Sequence, residues 1–228
     1  MKSYTKVLDE ADFTPMEWLL DSAKREDWRR VSTTGLFSAI TTNPLLIQRA
    51  GLDVSFARYR ALVDEALDLG FEHIQLQVFG DDWHGAAEQI LELSEQTIVK
   101  IPATEAGFSL VKTLGVPERT TLTGVYSVPM GAIAERLGVR YAAPYYARLI
   151  ESDRDADAIF TGLRTSCQKT NILVASLRNI GQFEHLLANG HRCFTLPGPL
   201  LDDLLCDPMT LDAVAQFDEA ARLSISRL

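Results

Sequence analysis

The residues able to do chemistry in this sequence centre on one lysine. Lys100 lies in the run TIVKIPATEAG, residues 97 to 107, between Ile98, Val99, Ile101 and Pro102. The run has strand length, β-branched composition and a bounding proline. As a strand it puts Ile98 and Lys100 on one face and Val99 and Ile101 on the other. Of the six lysines, Lys2 and Lys6 fall in a polar N-terminus, Lys24 in a charged helix, Lys112 on a helix and Lys169 beside a polar turn. Only Lys100 is enclosed by apolar strand, although lysine is among the residues least often buried without a partner. A lysine so placed is a candidate amine nucleophile toward a carbonyl carbon, provided it is uncharged. At the ordinary lysine pKa about one side chain in 2,500 is neutral at pH 7. An apolar surround disfavours the ammonium, and lowering the pKa by about 3 takes roughly 4 kcal/mol of differential environment. The alternative reading is an ammonium that snorkels from the strand end into water.

The elements that must position this lysine follow from the pattern of apolar runs. Eight candidate strands occur at residues 17–22, 36–42, 73–79, 97–103, 120–125, 140–146, 171–176 and 192–197. Helical patterns follow them, as in SFARYRALVDEALDL, where Phe56, Tyr59, Val63 and Leu67 recur at helical spacing. Gly70, Gly115, Gly138 and Gly190 stand where helices should stop. Strands that read as near-continuous apolar runs are buried on both faces, as parallel strands are. Eight strand–helix units predict an α/β fold, a closed (β/α)8 TIM barrel in a single domain over residues 1–228. Residues 1–16 read as an N-terminal extension, and residues 210–228 as an added C-terminal helix that could pack on a neighbouring subunit.

In such a barrel the active site lies at the C-terminal strand ends. The polar residues there are Asp21, Ser22, Thr41, Thr42, Asn43, Gln77, Lys100, Thr123, Tyr145, Arg148, Ser176, Arg178 and Thr195. Taken singly, each has a second reading, because polar loops begin where strands end. Composition narrows the partners. The formal net charge of −9 argues against nucleic acid, which is met by clustered Lys and Arg, and requires local positive charge for any phosphorylated substrate. Cys167, Cys193 and Cys206 make no CxxC pair and leave an odd count, which fits a reducing compartment. His73, His84, His185 and His191 show no metal-ligand spacing, so no metal is expected. The N-terminus lacks the apolar core of a signal peptide, and TTLTGVYSVPMGAIA is too short to span a bilayer. These features predict a cytoplasmic protein without membrane contact.

Several motifs together resemble the transaldolase family. GLFSAITTNPLLIQRAG is similar to its second-strand signature and TIVKIPATEAG to its Schiff-base lysine motif. TLTGVYS, AAPYYAR, LVASLRN and TLP follow in family order, over about residues 17–220. The short chain resembles the small subfamily that includes fructose-6-phosphate aldolase. The resemblance implies an enzyme with no metal or organic cofactor, in which Lys100 forms an iminium with a ketose phosphate and the C3–C4 bond breaks to leave a dihydroxyacetone enamine. It implies that Asp21 contacts a substrate hydroxyl and helps proton transfer, and that Asn43 and Thr42 of TTNP serve substrate binding. It gives the phosphate to Arg148 and Ser176, with Arg178 matching the arginine of the larger members' SFRN. Larger transaldolases carry a third-strand glutamate where Gln77 stands and a phenylalanine where Tyr145 stands. An amide cannot accept and return a proton at neutral pH. The resemblance therefore points to the aldolase arrangement, with Gln77, Thr123 and Tyr145 around a catalytic water and Tyr145 as proton donor and acceptor. Met130 and Leu177 replace a usual glutamine and phenylalanine, which bears on acceptor preference. A ring-shaped homo-oligomer, pentamer or decamer, is implied as well.

Four readings follow. The first is an aldolase acting on ketose phosphates such as fructose 6-phosphate. The second is a true transaldolase that passes the dihydroxyacetone unit to an aldose phosphate. The third is a barrel that has lost catalysis and serves in binding or assembly. The fourth is a pyridoxal-phosphate protein, which would also use a lysine and a phosphate site.

Overall fold

The structure, a computed structural model, describes residues 16–225. Eight parallel strands close into a barrel in sequence order: β1 (Glu17–Asp21), β2 (Ala39–Thr41), β3 (His73–Gln77), β4 (Thr97–Pro102), β5 (Thr120–Val125), β6 (Tyr141–Pro144), β7 (Asn171–Val174) and β8 (Cys193–Pro197). The helices are α1 (Arg25–Ser32), α2 (Pro44–Arg49), α3 (Phe56–Asp68), α4 (Trp83–Leu93), α5 (Glu105–Leu114), α6 (Val128–Leu137), α7 (Tyr146–Glu151), α8 (Ala156–Ser166), α9 (Ile180–Ala188), α10 (Leu201–Leu205) and α11 (Pro208–Ile225). Each of the eight predicted strands is present. The second is shorter than the predicted 36–42, because Pro44 is the first helical residue and Asn43 turns the chain as its cap. The sequence reading contains neither α2 nor α7, six-residue helices set into the loops after β2 and β6. The predicted extension at residues 1–16 lies, but for Met16, outside the described residues. The predicted C-terminal helix is α11, which starts two residues earlier than expected.

Local chemistry explains where the helices begin. Asn43, Ser55, Asp82, Thr104, Ser127, Asp155 and Asn179 each accept, through the side chain, a backbone N–H in the first turn that follows. Gly115 and Gly138 end α5 and α6 in the left-handed conformation, as their placement predicts. Gly107 answers to a different need. A Cβ there would lie 2.0 Å from the carbonyl oxygen of Pro102, so α5 can fold back on the end of β4 only through a residue with no side chain.

Two apolar regions result. One fills the space between strands and helices and includes Val99, Ile101, Leu122, Val174 and Phe194. The other lies inside the barrel and joins Leu19, Ala39, Ile98, Tyr141, Ala143, Leu173 and Cys193 from six strands. Ile98 therefore points inward. Strand alternation then turns Lys100 inward too, one layer nearer the C-terminal mouth.

Candidate active site

The site is built from the inward residues near the ends of the strands. Lys100 pairs in register with Gln77 on β3 and with Thr121 on β5. It is 5% exposed, and its Nζ donates a hydrogen bond of 3.1 Å to the carbonyl oxygen of Thr42. Burial lowers its pKa from the ordinary lysine value, and the nearby Asp21 carboxylate opposes that shift. Burial is the larger influence, so the amine is held toward its uncharged form.

Asp21 ends β1, half-buried, with a little accessible surface left at the barrel mouth. The protein packed around it raises its pKa, while Lys100 and a hydrogen bond from Thr41 work the other way. Thr41 Oγ1 donates to Asp21 Oδ1 at 2.8 Å and lies 2.5 Å from Thr195 Oγ1. On the side of the barrel formed by β5 and β6, Thr123 Oγ1 and Tyr145 Oη are 2.6 Å apart. Burial raises the Tyr145 pKa. The bond to Thr123 and the Arg148 guanidinium oppose that shift, and Asp21 adds to it.

Arg148 lies over the ring of Tyr145, 4.9 Å from its centroid, and donates to Tyr126 Oη at 3.5 Å. Tyr126 meets Tyr145 edge-on at 5.7 Å. Ser176 follows β7 with φ of +63°, a left-handed conformation that a residue with a side chain adopts at a cost. Its carbonyl accepts from the backbone N–H of Ala147, which ties this turn to α7 beside Arg148. Among the described residues no group of three or more His, Cys, Asp and Glu side chains is placed to hold a metal ion.

The structure joins Lys100 to Thr42 and links Thr123, Tyr145 and Arg148 in one set of contacts, while the Asp21 carboxylate influences both Lys100 and Tyr145 electrostatically. Gln77 borders Lys100 in register, and its carbonyl accepts from Tyr59 Oη at 2.8 Å. Asn43 uses its side-chain oxygen to cap α2, at 3.1 Å from Leu46 N, which leaves its amide NH2 for other partners. Arg178 is engaged elsewhere: its Nε donates to Glu151 at 3.2 Å on the protein surface. Met130 places its sulfur 3.5 Å from the backbone N–H of Tyr126, and Leu177 is buried in the outer core. The sequence gives no role to Tyr126, and in it Thr41 and Thr195 are only polar residues of the rim. Their contacts join residues far apart in the chain, and no local spacing signals them. A cleft of about 670 Å³ opens at the opposite, N-terminal mouth, between Met16, Phe37, Gly70 and Arg140, and contains none of these site residues.

The solved thiamine phosphate pyrophosphorylase from Pyrococcus furiosus superposes with a TM-score of 0.60 over 80% of this chain and 85% of its own, at 12% identity, which shows the shared barrel fold. A protein of Thermoplasma acidophilum named "Probable transaldolase" is 30% identical over 212 residues, covering 90% of this chain and 94% of its own. "Probable transaldolase 2" of Listeria monocytogenes is 28% identical over 210 residues, covering 89% and 94%. The family model described as Transaldolase/Fructose-6-phosphate aldolase matches residues 18–227, nearly the whole chain, and the protein belongs to that family of enzymes.

Proposed function

We propose that the protein is a Schiff-base aldolase that cleaves or forms the C3–C4 bond of ketose phosphates such as fructose 6-phosphate. The observation that carries this reading is the inward Lys100 amine, buried and shifted toward its neutral form, with an Asp21 carboxylate that influences both it and the Tyr145 of the Thr123–Tyr145 pair. Lys100 Nζ attacks the ketone carbon, and loss of water gives an iminium. Asp21 takes the proton of the C4 hydroxyl as the C3–C4 bond breaks and the aldehyde leaves. The electrons of that bond pass into the iminium, giving an enamine. Tyr145, held by Thr123 and bordered by Gln77, gives its phenolic proton to C3 and regains one from the Asp21 carboxyl through the catalytic water, and hydrolysis of the resulting iminium releases dihydroxyacetone and frees Lys100. Asn43 and Thr42 hold the substrate chain; Arg148 and Ser176 receive the phosphate, and Arg178 joins them on leaving Glu151. No cofactor is required.

A second reading, transaldolase, rests on the names borne by the relatives, in which the enamine adds to an aldose phosphate instead. A time course with fructose 6-phosphate separates the two. The aldolase reading predicts free dihydroxyacetone without any acceptor, and Tyr145→Phe moves the balance toward transfer. Strict dependence on an aldose acceptor contradicts it. The same proposal includes one barrel domain, a homo-oligomer of the pentamer or decamer type, no nucleic-acid partner and a cytoplasmic setting in which Cys167, Cys193 and Cys206 stay free. Among the described residues no helix is long and apolar enough to cross a membrane.

A further inference from the structure

Asp21, Thr41 and Thr195 come from β1, β2 and β8, the strands that meet where the barrel closes. Thr41 Oγ1 touches both of the others, at 2.8 Å from Asp21 Oδ1 and 2.5 Å from Thr195 Oγ1. Thr41 and Thr195 are buried, so water does not replace these bonds. A hydroxyl has one proton to donate. An ionised Asp21 only accepts, which commits the Thr41 proton to Oδ1 and leaves Thr195 as the donor to Thr41. Two hydroxyls in series then point at one carboxylate oxygen, each strengthening the next. The other oxygen, Oδ2, has no protein partner among the described residues and is the one open to a substrate.

We propose that Thr195, acting through Thr41, is a positioning residue that fixes Asp21 Oδ1 and so presents Oδ2 for proton exchange with the substrate hydroxyl. The inference rests on the aldol reading above. In the cleavage direction the substrate O–H bond breaks and an Oδ2–H bond forms; in the synthetic direction the same proton returns. The titratable groups that also face Asp21 are Lys100 from β4 and Tyr145 from the turn between β6 and α7, and the test must keep their contributions apart.

The experiment compares Thr195→Val and Thr195→Ser with the unaltered chain in fructose 6-phosphate cleavage across pH. Borohydride trapping of the lysine adduct, followed across the same pH range, reports Lys100 separately. Thr195→Val, which keeps the volume and loses the hydroxyl, is expected to lower kcat about tenfold. It is also expected to raise the acid limb of the kcat profile by about half a pH unit, because the carboxylate loses hydrogen-bond support. KM and the pH dependence of trapping should stay as they are, and Thr195→Ser should restore both kcat and the limb. An unmoved limb in Thr195→Val overturns the inference. So does a Thr195→Ser variant as impaired as Thr195→Val, which would assign the effect to packing of the methyl group. A parallel shift in trapping would assign it to Lys100 and overturn it too. If the unaltered chain forms no adduct, the aldol reading itself fails, an outcome distinct from those.

Discussion

At the residue scale, the Schiff-base proposal makes the position of Lys100 a stability cost set against a chemical gain. Its amine is enclosed by the barrel and has one hydrogen bond, to the Thr42 carbonyl, where water would offer three. Groups buried for reactivity of this kind lower stability, and replacing them with apolar residues of similar shape often raises it. Lys100→Met is therefore expected to abolish turnover while raising the unfolding free energy by about 1–2 kcal/mol. Thermal unfolding beside an activity assay checks this; a lower melting temperature would mean that the amine supports the fold rather than burdening it. Lys100 was legible in the sequence because a charge inside a β-branched run conflicts with burial. Asp21, Thr123 and Tyr145 were legible through the motifs around them. The Thr195–Thr41–Asp21 chain was not, since Thr41 and Thr195 are separated by 154 residues and meet only when β8 closes on β1. The engagement of Arg178 with Glu151 was equally hidden, because Glu151 belongs to the short helix α7, which carries no strong periodic signal.

At the scale of elements, the strands were readable from apolar runs and the longer helices from their spacing and caps. α2 and α7 escaped because six residues are too few for a period of 3.6 to declare itself. α11 was readable, and its exposure now has consequences. Leu211, Val214 and Phe217, three residues apart on one side of the helix, are 56%, 47% and 71% exposed. An apolar face of that kind on a surface helix marks an interaction site. Under the homo-oligomer proposal it is covered by a neighbouring copy. Light scattering is expected to give the full chain a mass that is a multiple of 25.3 kDa. A chain ending at Cys206 should give a smaller assembly. A full-length monomer, or an unchanged assembly after removal of α11, would contradict that role.

At the scale of the whole molecule, burial governs the response to pH as well as the chemistry. His73 and His191 are enclosed, and burial pushes their imidazoles down from 6.5 to about 3 and about 4. The folded chain thus refuses protons that the unfolded chain accepts below pH 6.5, so stability is level above that value and falls as the pH drops toward 4. At pH 5 the two histidines together cost about 4 kcal/mol, partly offset by Asp21, whose raised pKa acts in the opposite direction. The urea midpoint should be clearly lower at pH 5 than at pH 7, and equal midpoints would refute the burial of these rings. The acidic surface, the barrel and the enclosed amine lead to one central claim, that a sugar carbonyl is captured at Lys100. The most direct measurement is borohydride reduction of the intact protein with fructose 6-phosphate, followed by peptide mapping. One adduct per chain is expected, on the peptide containing Lys100 and absent in Lys100→Met. No adduct, or an adduct on another lysine, would contradict it.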